Sequence, residues 1–288
     1  MSIKVHIKNR FRPLFRTCYD SCFRILKHLP INVTIRIQSK NCGFFGDLYQ
    51  TLSAIRFFEQ IGLNCEVDWG KKSLYFDKKH GDNVWDYYFV NSKFSFSKKT
   101  KLKLNISYSP TAYNIRKYEG LSQKESDSIV ISKFCKMKEE ISNSINNYIE
   151  MNFSTNTLGV HYRGTDAMAG YEGRSAIEID LLVSEINNYI DEYKDAKIFL
   201  ATDDYKSLKI LNAIYKNQMH YTNSLRSLDG ISVHGHFDKG VKGSGYQKGY
   251  DALLDAFLLS RCNFLIHKGS QLAKFALLKN LSLKNIDI

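Results

Sequence analysis

Three short apolar runs in the second half of the chain, Thr157 to Val160, Ala196 to Ala201 and Asn263 to His267, each end in a polar turn. Runs of this length, alternating with amphipathic helical stretches, predict a parallel sheet built from β–α units. In such a sheet the loops at the carboxyl edge collect ligands. The first run delivers His161-Tyr162-Arg163-Gly164-Thr165-Asp166 to that edge. His161 and Arg163 are two apart, so extended backbone points both to one face. An imidazole and a guanidinium fork aimed one way suit an anionic or heteroaromatic ligand such as a nucleoside diphosphate. A solvated strand end is the plain alternative, because so short a polar pattern is common.

The second run leads into Thr202-Asp203-Asp204, where Asp203 or Asp204 can cap a helix with Leu208, Leu211, Ile214 and Tyr215 at helical spacing. A further helix is expected over Tyr250 to Ser260, with Asp255 an acid among apolar residues. The third run presents Gly269-Ser270-Gln271 at the start of the last helix. A small-residue turn there offers backbone N–H groups and the positive dipole end to a phosphate.

In order and spacing, HYRGTD, FLATDD and DALLDAFLLSRCNFLIHKGSQLA resemble the three motifs of the α1,6/α1,2/protein O-fucosyltransferase superfamily, its core α1,6 and nodulation branches in particular. The resemblance covers residues 157–280. It implies an α/β, GT-B glycosyltransferase with two Rossmann-like domains facing a cleft, taking a GDP-sugar as donor. It places His161 on guanine or ribose, Arg163 on the β-phosphate, and Asp255 on the guanine edge. Ser270 and Gln271 fall at the phosphate-cradling turn, and Asp203 and Asp204 fall on the motif that supports the site. The chain also departs from the pattern. The second arginine of the family's first motif is Gly164 here, the lysine after its aspartate is Ala167, and its glutamate aligns one residue from Glu172. These departures lie on the sugar and acceptor side, so GDP follows more directly than fucose.

The rest of the chain is read from pattern alone. At 288 residues, 43% hydrophobic and 24% charged, it has material for a substantial core and is unlike a disordered chain. A basic amphipathic segment is expected over 1–30, an acceptor-side Rossmann-like domain over 31–153, and a nucleotide-sugar domain over 154–288. Ile31 to Gln38 alternates as a strand, Cys42 to Asp47 reads as a glycine-bracketed turn, and Leu48 to Ile61 as a helix. One long helical stretch is expected over 119–153, another strand near Gly230 to His234, and a glycine-rich mobile loop over 235–249. No apolar run reaches the ~18 residues of a membrane span. Six scattered cysteines, with no CxxC pair, suggest free thiols and a cytoplasmic setting.

The net charge of +12 is unevenly distributed. Residues 1–40 hold nine lysines or arginines against one acid, Asp20, with aromatic and leucine residues every three or four positions. Such a helix suits the anionic inner face of a membrane, or docks on its own domain with a solvated basic face. Residues 71–103 interleave lysines with aromatics, which fits a β-layer with a lysine face better than a single-stranded nucleic acid site.

The expected reaction is an inverting single displacement at the anomeric carbon of the donor, without a metal, since no Asp-x-Asp occurs. It needs charge stabilisation for the diphosphate and a base for the acceptor hydroxyl of a glycan or lipid-linked saccharide. Arg163 supplies the first. Glu172, then Asp166, are the candidates for the second. His234-x-His236 reads as a loop feature, without a third metal ligand. A different nucleotide sugar, and a non-catalytic sugar-nucleotide or glycan-binding protein, stay open as alternatives.

Overall fold

A computed structural model describes residues 21–28, 32–96, 103–110, 114–165, 177–234 and 240–288. Asp166, Glu172 and His236 lie outside these residues, as do residues 1–20 of the basic segment. Its visible end is helical over 21–26 (α1) and docks on the first sheet. There the Phe23 ring meets Phe58 and Tyr108 edge-on, with centroids 5.3 and 5.5 Å away. Arg24, Ile25, Lys27 and His28 of this segment stay exposed, with Ile25 63% exposed.

The first sheet has the order β3-β2-β1-β4. Its central strand β1 (Asn32–Gln38) runs parallel to β2 (Asn64–Asp68) and β4 (Lys103–Tyr108). The short β3 (Lys93–Phe94) pairs antiparallel at the edge. Helix α2 (Phe44–Ile61) covers one face and is buried almost throughout. Leu48, Leu52, Ile55 and Phe58 meet Val33, Ile35 and Ile37 of β1 in one core cluster. Each such side chain contributes roughly 1.5–3 kcal/mol by leaving water. The helix begins earlier than the glycine pattern suggests. Gly43, at φ 85°, is its N-cap, and Phe44 to Asp47 form its first turn.

Sequence expectations for 62–153 need correction. Over its described residues 71–96, the lysine–aromatic stretch forms no β-layer beyond the two-residue edge strand β3. It is mostly turns, with a 3₁₀ turn at Lys78–His80 and the one-turn helix α3 (Trp85–Tyr88). Its Trp85, Tyr88 and Phe89 are wholly buried, because their apolar area outweighs any tendency to extend. The single long helix is two, α4 (Gln123–Phe134) and α5 (Glu139–Asn152). Ser122 and Glu125 form a capping box at the start of α4.

The second sheet is parallel throughout, in the order β7-β6-β5-β8-β9. Strands β5 (Thr157–Tyr162), β6 (Lys197–Thr202) and β8 (Phe264–His267) fall where the apolar runs predicted them. The chain moves from β5 outward to β6 and β7 (Met219–His220), then returns to place β8 and β9 (Lys284–Asp287) on the other side of β5. The order reverses between β5 and β8, and a crevice opens there at the carboxyl ends. Helices α6 (Ile179–Glu192) and α7 (Tyr205–Tyr215) cover one face through Leu182, Ile186, Leu208 and Leu211. Ile214, expected on that face, is 51% exposed instead. Helices α8 (Gly245–Leu259) and α9 (Gln271–Lys279) cover the other face and share a core with α2. Phe45 of α2 lies 5.1 Å from Phe275 of α9.

Two expectations fail beside that crevice. Residues 230–234 form turns, not a strand. Helix α8 starts at Gly245, capped by the Ser244 hydroxyl on Gln247 N at 3.0 Å, so the last five residues of the expected mobile loop are helix. The cap and the packing of Gly245 and Gly249 against the first half offset the cost of helical glycine. A Cβ on Gly249 would stand 2.2 Å from the Tyr88 hydroxyl.

Candidate functional site

A cavity occupies the switch point, and its walls come from segments far apart in sequence. The β5 end supplies His161, Arg163 and Thr165, and the β6 end supplies Thr202 and Asp203. Helix α8 supplies Lys248, Asp251 and Asp255, and the start of α9 supplies Gln271. The first half contributes Cys42 to Gly46, the turn and helix start that the glycine pattern marked.

The β5 loop is held by its neighbour strand. Asp203 accepts from Gly164 N at 2.8 Å and from the Thr165 hydroxyl at 2.7 Å. Asp204, not Asp203, caps α7, accepting from Ser207 N at 2.9 Å and Lys206 N at 3.4 Å. The two adjacent acids thus divide the work, one fixing the Arg163 loop and the other the helix. Gly164 has a steric reason to lack a side chain, since a Cβ there would stand 2.5 Å from the Asp204 Cβ.

His161 is buried, and its Nδ1 shares a hydrogen bond of 3.3 Å with the Ser270 hydroxyl. Burial, with the nearby Arg163 charge and His267 adding to it, pushes its pKa down to about 3. The ring is therefore neutral at physiological pH. Ser270 caps α9, accepting from Ala273 N at 3.0 Å, and touches the site through His161, while Gln271 lines the cavity itself.

At the opposite wall, the Asp255 carboxylate accepts from the Thr222 hydroxyl at 2.8 Å. Burial raises its pKa to about 7, opposed by Thr222 and the Arg226 charge. One turn earlier, Asp251 accepts from Leu225 N at 2.8 Å and from Gln247 Nε2 at 2.6 Å. Arg226 closes the same loop by donating to the Thr222 and Ser224 carbonyls at 2.8 and 2.9 Å. Residues 222–226 are thereby fixed against α8.

Across the cavity, the Asp47 carboxylate accepts from the backbone N–H groups of Lys40, Asn41 and Cys42 at 3.0 to 3.3 Å. That grip shapes the turn before α2. Tyr75 and His234 approach the same end, with the Tyr75 hydroxyl 3.2 Å from His234 Nδ1.

Of the residues predicted from sequence, His161, Arg163, Asp203, Asp255 and Gln271 line one cavity. Sequence reading missed Lys248, Asp251 and Thr222. The first two carried a usable signal, since polar residues seven and four positions before Asp255 share its helical face. Asp251 already fell within the helix expected from Tyr250, and a helix begun at Gly245 would have brought in Lys248 as well. Thr222 lies in a loop and carried none. Among the described residues no cluster of three His, Cys, Asp or Glu side chains could hold a metal ion.

No protein-family model matches the chain, and no curated protein matches it. Solved structures do. NodZ alpha-1,6-fucosyltransferase soaked with GDP-fucose superposes with a TM-score of 0.55 and 17% identity, over 86% of this chain and 92% of that one. Fucosyltransferase NodZ from Bradyrhizobium gives 0.54 and 17%, over 86% and 93%. A mutant of Arabidopsis thaliana FUT1 in complex with GDP gives 0.53 and 9%, over 96% and 76%. A mostly parallel first sheet and a wholly parallel second one, with a cavity at the switch point of the second, are in this chain the α/β GT-B fold of the solved fucosyltransferases.

Proposed function

We propose that the protein is an inverting glycosyltransferase that moves L-fucose from GDP-fucose to a hydroxyl of a glycan or lipid-linked saccharide. The observation that carries this reading is the convergence of His161, Arg163, Asp255 and Gln271 on one cavity from segments up to 110 residues apart. The same residues bear the fucosyltransferase-like motifs, and the fold's solved relatives include complexes with GDP and GDP-fucose.

Arg163 takes the diphosphate, where a planar fork pairs with two oxygens at once. Asp255 accepts from the ring N–H and exocyclic amine of guanine. Neutral His161 packs against the nucleoside without adding charge, and Asp203 is a positioning residue that holds the Arg163 loop. In the reaction the acceptor oxygen bonds to the anomeric carbon as the carbon–oxygen bond to the β-phosphate breaks. GDP departs with the electron pair, and a carboxylate takes the acceptor proton. Glu172 and Asp166 are the candidates for that carboxylate.

Thermal stability in the presence of GDP, UDP, CMP and ADP tests the pocket. GDP at a hundred times its dissociation constant should stabilise the fold by about 2.7 kcal/mol, and the others by far less. Equal shifts for all four would overturn the guanine reading. Release of GDP from GDP-fucose, dependent on a glycan acceptor, then separates an enzyme from a binding protein.

A further inference from the structure

Helix α8 shows the cavity a single stripe. Lys248, Asp251, Ala252 and Asp255 all line it, at the i, i+3, i+4 and i+7 spacing of one helical face. From Lys248 to Asp255 the helix advances about 10 Å. The two ends of the stripe meet different surroundings. Asp255 faces Thr222, within the loop that Arg226 closes. The Lys248 end lies beside the first half of the chain, since a Cβ on Gly249 would stand 3.2 Å from the Phe44 ring. Phe44 packs edge-on to Tyr75 at 5.2 Å, and the Arg163 charge is near enough to act on the buried Tyr75 phenol. Lys248 therefore belongs to the Arg163 end of the cavity.

Charge points the same way. Among the described residues, Arg163 and Lys248 are the arginine and lysine side chains that line the cavity. Lys248 is only 9% exposed, so most of its side chain is withdrawn from bulk water where it lines the cavity. The strand-end loop has no room for a further cation at position 164, where any Cβ meets Asp204. A nucleoside diphosphate carries more negative charge than one guanidinium neutralises, and a partly desolvated phosphate left uncompensated is costly.

Resting on the nucleotide reading above, we propose that Lys248 is a second diphosphate ligand, so that α8 spans the donor with a base-reading carboxylate at one end and a phosphate-binding ammonium at the other. Asp251, between them, is a positioning residue that holds Leu225 and Gln247. As the sugar–phosphate bond breaks, negative charge grows on the β-phosphate, and the Lys248 ammonium stabilises it without a proton transfer.

The test measures dissociation constants of GDP and guanosine for the full-length protein and for Lys248→Gln, Lys248→Arg and Asp255→Asn. Lys248→Gln should weaken GDP by about tenfold or more while leaving guanosine within twofold, since an ion-assisted hydrogen bond to phosphate is lost and nothing else. Lys248→Arg should retain most GDP affinity, and Asp255→Asn should weaken both ligands. Lys248→Met, which keeps the packing of the stem, replaces the glutamine variant if that fails to fold. GDP binding unchanged in Lys248→Gln, or GDP and guanosine weakened equally, would overturn the assignment while the nucleotide reading stood. Failure of the unaltered protein to bind GDP would overturn the nucleotide reading itself.

Discussion

The two sheets use the same β–α unit and treat their faces differently. Strand β1 alternates, with Val33, Ile35 and Ile37 buried against α2 while Arg36 and Gln38 are exposed on the other face. Asn105 and Ser107 of β4 are exposed beside them, and Arg36 pairs with Glu66 at 2.8 Å in contact with water. Strand β5 is buried at every position from Thr157 to Tyr162, because helices cover both faces of its sheet. Covering both faces changes the chemistry at the strand ends. A polar group held at the edge of the covered sheet, on a strand end or on a covering helix, leaves water with its element, and its protonation shifts. His161 is driven down to about 3 and Asp255 up to about 7, both chiefly by burial. The open sheet supplies a wall to the cavity, and the covered sheet supplies its perturbed groups.

The largest expected effect tests the covered side directly. Arg163→Ala should lose about a hundredfold in GDP affinity, measured by calorimetry, with the thermal midpoint little changed. A variant that binds GDP as tightly as the parent would remove the proposed diphosphate ligand.

Titration sharpens the same contrast. Guanine needs the ionised Asp255, so GDP affinity should fall as pH drops below about 7, towards tenfold per unit, and level off above it. Asp255→Asn should flatten that profile and erase the preference for GDP over ADP. Stability should move in opposite directions for the two buried groups. The raised pKa of Asp255 favours the fold below its unfolded value near 4, an advantage lost as pH rises through about 7. The depressed pKa of His161 favours the fold above about 6.5, an advantage lost as pH falls towards about 3. Denaturant titrations of the single variants across pH 3 to 8 separate the two.

A pair of substitutions compares the sheets as structures. A Cβ on Gly159 of β5 would sit 3.0 Å from both the Cys262 sulfur and the Leu259 side chain. Gly159→Ala should therefore cost about 1–3 kcal/mol by overpacking. Arg36→Ala on the open face should stay within about 0.5–1 kcal/mol, since it breaks an exposed ion pair. Equal losses would mean that the first sheet is covered after all.

The last comparison concerns the basic start of the chain. We propose that it holds the protein at an anionic membrane surface, near a lipid-linked acceptor. Because Phe23 belongs to the core, charge reversal is a cleaner test than truncation. Arg24→Glu with Lys27→Glu should lower co-sedimentation with anionic vesicles, by about 1 kcal/mol for each basic side chain lost, and added salt should lower it further. Indifference to both would leave α1 as a docked helix with a solvated face.

Periodicity made much of this legible in the sequence. Apolar runs with polar ends marked β5, β6 and β8, and alternation marked β1, because each pattern reports how a segment meets its nearest layer. Motif spacing picked out His161, Arg163, Asp255 and Gln271, which do share one cavity. Other features depended on packing between distant segments. The start of α8 at Gly245 rests on its fit against Tyr75 and Tyr88, and the burial of residues 85–89 on the core they enter. The bare position at Gly164 follows from the approach of Asp204, and the alignment of Lys248 with Arg163 from the meeting of the two halves. A local pattern records which face of a segment is apolar. Which strand sets its end beside which helix, and how much water remains there to hold a charge, are properties of the assembled fold, and these set the protonation of His161 and Asp255.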